Sequence, residues 1–152
     1  MATNFTRRTI LQGLAVGAVP ALLPANAEAR VKHDGKVVGL MSGARALVET
    51  LLAEGCECVF GIPGAQENEL WDAMKSRDLP YLFVTHEFSA STMADGYARA
   101  TGKPGVISVV PGPGLTNSLT GIGEALLDSI PMVCIVGDVA RGEKYRPFQV
   151  HE

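Results

Sequence analysis

Three short segments of this 152-residue chain carry residue types that could do chemistry. The first is Gly61-Ile62-Pro63-Gly64, which follows the apolar triplet Cys58-Val59-Phe60. Its glycines permit backbone angles closed to other residues, and Pro63 fixes one φ. Taken alone, it reads as a tight turn. The second is His86-Glu87, directly after the apolar run from Tyr81 to Thr85. A carboxyl group can give or take a proton, so Glu87 is a candidate acid–base and hydrogen-bonding group. Taken alone, it also reads as helix-start chemistry, because a Glu in a first turn complements the helix dipole. The third is Pro111-Gly112-Pro113-Gly114-Leu115-Thr116-Asn117. It approaches the dinucleotide pattern G-x-G-x-x-G, but Asn117 stands where the last glycine belongs, and the phosphate-loop lysine is missing. Phosphate cradling is therefore disfavoured at that segment.

The elements that would position these residues follow from apolar periodicity. Ala44, Leu47, Val48, Leu51 and Leu52 recur at helical spacing, which predicts an amphipathic helix over 42–54 ended by Gly55. Leu70, Trp71 and Met74 predict a second helix over roughly 66–76. Ala90, Met93, Ala94, Tyr97 and Ala98 mark a third, ending at Gly102, with these residues read as core packing. Leu115, Leu119, Ile122 and Leu126 mark a fourth. Between them fall apolar runs at 58–60, 81–85, 106–110 and 132–136. Alternation of helices with nearly unbroken apolar strands predicts the α/β class, with a parallel sheet flanked by helices on both faces. In such sheets ligands bind beyond the carboxyl ends of the strands, where all three segments fall.

Composition narrows the function classes. A net charge of −3, with no basic tract, gives nucleic-acid binding no support. Three cysteines do not make a disulfide framework, and Cys56 and Cys58 lack a second metal-ligand pair. They read as small buried hydrophobes. No metal site is expected from these residues.

Taken in order, the segments gain meaning. Gly61-Ile62-Pro63-Gly64 is followed by His86-Glu87 and by Met93-Ala94-Asp95-Gly96-Tyr97-Ala98-Arg99. Then come Gly112-Pro113-Gly114-Leu115-Thr116-Asn117, Ala125-Leu126-Leu127-Asp128-Ser129-Ile130-Pro131 and Gly137-Asp138. This succession resembles the thiamine-diphosphate-dependent enzymes, in their amino-terminal pyrimidine-binding domain, and most closely the acetohydroxyacid (acetolactate) synthase branch. The resemblance covers about residues 40–152. It implies thiamine diphosphate as cofactor and Glu87 as the catalytic carboxylate. Glu87 would hydrogen-bond the aminopyrimidine ring and favour the tautomer that deprotonates the thiazolium carbon. It further implies that Ile62, Pro63, Val110, Pro113 and Asn117 line the ring's slot and that Gln149 lies near the reacting centre. His86 would stand on the substrate side. Asp95, Gly96 and Arg99 would shape their helix and its contacts. The same resemblance implies that Mg²⁺ and the diphosphate are held by a separate domain, whose Gly-Asp-Gly signature does not occur in this sequence.

Two functions from different classes follow. One is the amino-terminal part of a carboligase or decarboxylase acting on 2-oxo acids, inactive alone. The other is a non-catalytic α/β module or remnant that binds a partner. Either way the expected partners are the cofactor and a second copy or a chain bearing the diphosphate domain. An isolated domain of this kind should expose apolar surface and self-associate.

The amino terminus has its own signature. Thr6-Arg7-Arg8-Thr9-Ile10-Leu11-Gln12 precedes a short apolar run from Gly13 to Leu23, then Ala25-Asn26-Ala27 and Ala27-Glu28-Ala29. A charged start, an apolar core and small residues at a cleavage site make a signal peptide, and the paired arginines indicate the twin-arginine route. The run is too short to span a bilayer. Residues 1–29 are thus expected to be a signal, 30–39 a lead-in, and 40–152 the domain, truncated at its carboxyl end. The expected location is periplasmic or exported, or cytoplasmic if the signal is unused.

Overall fold

The computed structural model describes residues 37–139. In chain order these form α1 (Gly43–Ala53), β1 (Val59–Gly61), α2 (Asn68–Ser76), β2 (Tyr81–Phe83), α3 (Glu87–Thr101), β3 (Gly105–Val109), α4 (Pro113–Leu127) and β4 (Met132–Val136). The expected alternation holds, with every strand shorter than or shifted by a residue or two from its apolar run, except β4. Helix ends follow local chemistry. Ser42 caps α1 by accepting the Arg45 N–H at 3.2 Å. Gly102, at φ 69°, ends α3 in the left-handed conformation. The helix expected around Leu115 begins earlier, because Pro113 already has helical φ and needs no N–H in a first turn.

The four strands are all parallel, in the order β2-β1-β3-β4. Side chains alternate across them. Val59 and Val106 pack on one face with Val48 and Leu51 of α1 and Leu70, Trp71 and Met74 of α2. Phe60, Ile107 and Val109 pack on the other with Ala90 and Ala94 of α3 and Ile122 of α4. Helices therefore cover both faces, as the strand hydrophobicity demands. The α3–α4 contact is built from small buried residues: Ala90, Ser91, Ala94 and Ala98 against Gly114, Ser118, Gly121 and Ala125. Close helix approach there leaves the longer side chains outside. Met93, expected in the core, is 44 % exposed, and Leu126 and Leu127 are 77 % and 82 % exposed. The cysteines are half-buried rather than fully buried. Burial pushes the Cys58 thiol up to about 11, with Cys56 adding to it, and raises that of Cys134.

Ion pairs tie the elements together away from the carboxyl ends of the strands. Glu57, just before β1, accepts from Tyr97 of α3 at 2.9 Å and pairs with Lys103 just before β3. Burial, with the Glu57 hydrogen bond, raises the Tyr97 hydroxyl to about 12. Arg99 bonds Asp95 on its own helix at 2.8 Å and Asp128 beyond α4 at 2.7 Å. Glu49 of α1 receives both Arg77, which follows α2, and Arg45.

The hydrogen-bonded Arg77 guanidinium holds the Glu49 carboxyl at about 2, against an ordinary 4.5; partial burial opposes this and Arg45 adds to it. A carboxylate depressed in the fold contributes stability above its unfolded value, and that contribution is lost as pH falls through the folded value. Because the group is only partly shielded from water, Glu49→Gln is expected to cost about 1 kcal/mol at neutral pH. Urea unfolding followed by circular dichroism should show the gap between variant and wild type closing as pH drops from 4.5 to about 2.

Candidate functional site at the strand switch point

The strand order reverses between β1 and β3. From β1 the chain moves outward to β2, and from β3 it moves the other way to β4. Connections leaving neighbouring strands in opposite directions open a crevice at their carboxyl ends. Gly61-Ile62-Pro63-Gly64 leaves β1 there, and Val110-Pro111-Gly112-Pro113 leaves β3 there. Glu87, the first residue of α3, comes from the connection after β2.

Val110 joins the two sides of this crevice. A Cβ placed on Gly64 would lie 2.0 Å from its Cγ1, and one on Gly114 would lie 2.6 Å from its Cγ2. Both methyl groups thus rest on bare backbone, one from each loop. Gly112, at φ 65° and ψ −110°, makes the turn between them, a conformation L side chains rarely adopt. Leu115 N–H then returns to the Val110 carbonyl at 3.1 Å and closes the first turn of α4.

That first turn aims Asn117 at Glu87. Asn117 Nδ2 donates to Glu87 Oε2 at 3.2 Å. Glu87 is half-buried and Asn117 exposed. The other oxygen, Oε1, lies on the Gly114 side, where a Cβ would sit 3.4 Å away. Glycine at 114 keeps that oxygen approachable. His86, expected on the substrate side, caps α3: its Nδ1 accepts the Phe88 N–H at 3.2 Å. That bond places the proton of the neutral imidazole on Nε2.

The structure therefore brings Ile62, Pro63, Glu87, Val110, Pro113 and Asn117 to the same end of the sheet. Gln149 lies outside the described residues. Arg99 pairs with Asp95 and with Asp128, away from this end. One residue at the site is not legible in the sequence. Glu67 is 3 % exposed and accepts the Gly137 N–H on Oε1 at 2.9 Å. Shortly after a Gly-Ile-Pro-Gly turn, it looks like an ordinary acid at a helix start. Its burial becomes visible only when β4 is placed beside β3.

A half-buried carboxyl group held on one oxygen by an amide, with glycine backbone beside the other, can bond to or exchange a proton with a ligand in the crevice. Among the described residues, no group of three or more His, Cys, Asp or Glu side chains could hold a metal ion. The fold is that of a doubly wound α/β domain, whose switch-point crevice is the candidate binding site.

Comparison with known proteins carries this further. Residues 41–151 match the family described as thiamine pyrophosphate enzyme, N-terminal TPP binding domain. The chain belongs to that family. It is 47 % identical over 102 residues to the acetolactate synthase large subunit of Buchnera aphidicola from Acyrthosiphon pisum. It is 47 % identical over 100 residues to the isozyme 2 large subunit of Escherichia coli. With a probable 2-ketoarginine decarboxylase of Pseudomonas aeruginosa it shares 44 % over 95 residues. These alignments cover 66 %, 66 % and 62 % of this chain but only 18 %, 18 % and 17 % of the relatives.

Gly64→Ala should force a Cβ against Val110 and cost about 1–3 kcal/mol. Removing the obstructing methyls in a Gly64→Ala/Val110→Ala double variant should recover part of that loss, a coupling of about 1 kcal/mol. Chemical denaturation of the four members of the cycle measures it. Strict additivity would show that the two loops do not meet at Val110.

Proposed function

We propose that this chain supplies the pyrimidine-binding half of a thiamine diphosphate site in an acetolactate-synthase-like carboligase or decarboxylase acting on 2-oxo acids. The observation that carries the reading is the Asn117–Glu87 hydrogen bond at the switch point of a family-matched domain. Glu87 would hold the aminopyrimidine ring through Oε1 and share a proton with its ring nitrogen, while Asn117 fixes the carboxyl group's rotation. An aspartate in place of Glu87 would be one methylene too short, and a glutamine could not share the proton. Ile62 and Pro63 on one side, with Val110 and Pro113 on the other, would wall the slot and exclude water. Gln149 is assigned to the reacting centre on resemblance alone. When bound, the cofactor would supply nucleophilic carbon chemistry toward 2-oxo acids, and the residues named here would hold its pyrimidine ring.

Mg²⁺ and the diphosphate are assigned to a separate domain, on a longer chain or on a partner subunit. A homo-oligomer or a complex with such a chain completes the site. The likeness to both synthases and a decarboxylase leaves carboligation and decarboxylation as alternative outcomes for the whole enzyme.

Calorimetric titration of the full chain with thiamine diphosphate and Mg²⁺, alone and with a carboxyl-terminal partner domain, tests the reading. Binding should require the partner and weaken about 10- to 100-fold in Glu87→Gln, the size of one charge-assisted hydrogen bond. No binding even with the partner would favour a non-catalytic remnant.

Residues 1–29 lie outside the described residues, and the export reading rests on their sequence. We assign them to a twin-arginine signal peptide that directs the protein to the periplasm or beyond. Among the described residues no helix is long and apolar enough to cross a membrane. Amino-terminal sequencing of protein purified from its native host should begin just after Ala27 or Ala29. A mature protein starting at Met1 would sink the export reading.

A further inference from the structure

Glu67 is the one buried charged side chain among the described residues, at 3 % exposure. A carboxylate out of water is costly unless it is bonded. Its backbone is fixed first. The Glu67 N–H donates to the Gly64 carbonyl at 3.0 Å, and its own carbonyl accepts from Leu70 and Trp71 at 2.9 and 3.1 Å. The residue is thus both the end of the turn after β1 and the cap of α2.

The side chain then reaches across the sheet. Oε1 accepts the Gly137 N–H at 2.9 Å, seventy residues away, just beyond β4. A Cβ on Gly137 would stand 2.0 Å from that oxygen. A Cβ on Gly64 would stand 3.2 Å from the other oxygen, Oε2. The carboxylate therefore fits between two glycines, one after β1 and one after β4, and Gly64 is the same residue that supports Val110. Neither loop pairs with the other through the sheet, because β3 lies between β1 and β4. Glu67 provides a direct tie across that gap.

We propose that Glu67 is a positioning residue for the site, holding the Ile62–Gly64 loop in register with the loop after β4. The proposal rests on the ring-binding reading of the crevice. Glu67 acts through Gly64 and Val110 and does not touch the ring. The requirement at this position is an oxygen acceptor of the right length. Glutamine retains one; alanine does not.

Amide hydrogen exchange by NMR on the full chain, without cofactor, tests the tie. In Glu67→Ala, exchange at Gly137 should quicken about tenfold, the worth of one buried hydrogen bond. In Glu67→Gln it should stay within about threefold of wild type, since the amide oxygen still accepts. The Val48 and Met74 amides report the core and should not change in either variant. Unchanged exchange at Gly137 in Glu67→Ala overturns the proposal. So does faster exchange throughout the core in both variants, which would make Glu67 a folding residue. The positioning role is read with thiamine diphosphate added together with the carboxyl-terminal partner domain. Shifts at the Ile62 and Gly64 amides should be diminished in Glu67→Ala and restored in Glu67→Gln. If wild type shows no such shifts while the exchange pattern holds, the cofactor reading falls and the tie between the loops stands.

Discussion

Parallel pairing is the constraint on which the rest of this structure depends. Two parallel neighbours cannot be joined by a short turn, so each strand must be followed by a helix that carries the chain back. With β1 and β3 adjacent at the centre, the chain leaves them toward opposite edges. The crevice between their carboxyl ends is a consequence of that order and needs no special residue to open it. Specific residues are needed to shape it. Val110 fills the gap between the two departing loops, and glycines at 64 and 114 let it come close enough to do so.

The same architecture explains why Glu87 and Asn117 meet. Glu87 lies at the start of α3 because β2 ends four residues earlier and His86 caps the helix. Asn117 lies one turn into α4 because Pro113 and Gly112 start that helix abruptly after β3. In a dinucleotide-binding loop the corresponding final glycine lets a helix approach a strand beneath a pyrophosphate. Here the position carries an amide that faces a carboxylate. The departure from the nucleotide pattern and the hydrogen bond at 3.2 Å are one fact seen in sequence and in space.

Much of this is legible in the sequence. The alternation of elements, the parallel sheet and the strand-end placement of Glu87 follow from periodicity and hydrophobicity, because buried strands and amphipathic helices leave strong local signals. Met93 departs from its expected burial for a physical reason. Its spacing fits the buried stripe, but α3 packs on α4 through alanine, serine and glycine, and that close approach turns methionine outward. Glu67 escapes a sequence reading for a related reason. Its partner is a backbone N–H seventy residues later, and no side-chain pattern announces a backbone donor. The strand order is likewise beyond local reading, since periodicity says that strands are parallel and not which are neighbours.

Polar interactions are distributed unevenly along the strand axis. Helices in such a fold run antiparallel to their strands, so helix carboxyl ends lie near strand amino ends. Arg77 follows α2, Asp128 follows α4, and Glu57 and Lys103 precede β1 and β3; the ion pairs of these residues cluster at that end. They are partly exposed and individually weak, but together they knit α1 to α2, α3 to α4, and β1 to β3. At the opposite end, the polar side-chain contacts between elements among the described residues include Asn117 with Glu87 and Glu67 with Gly137. Among the described residues, these ion pairs thus gather at the end of the sheet away from the crevice. At the crevice, Glu87 accepts from the Asn117 amide instead, and that neutral donor sets the rotation of its carboxyl group.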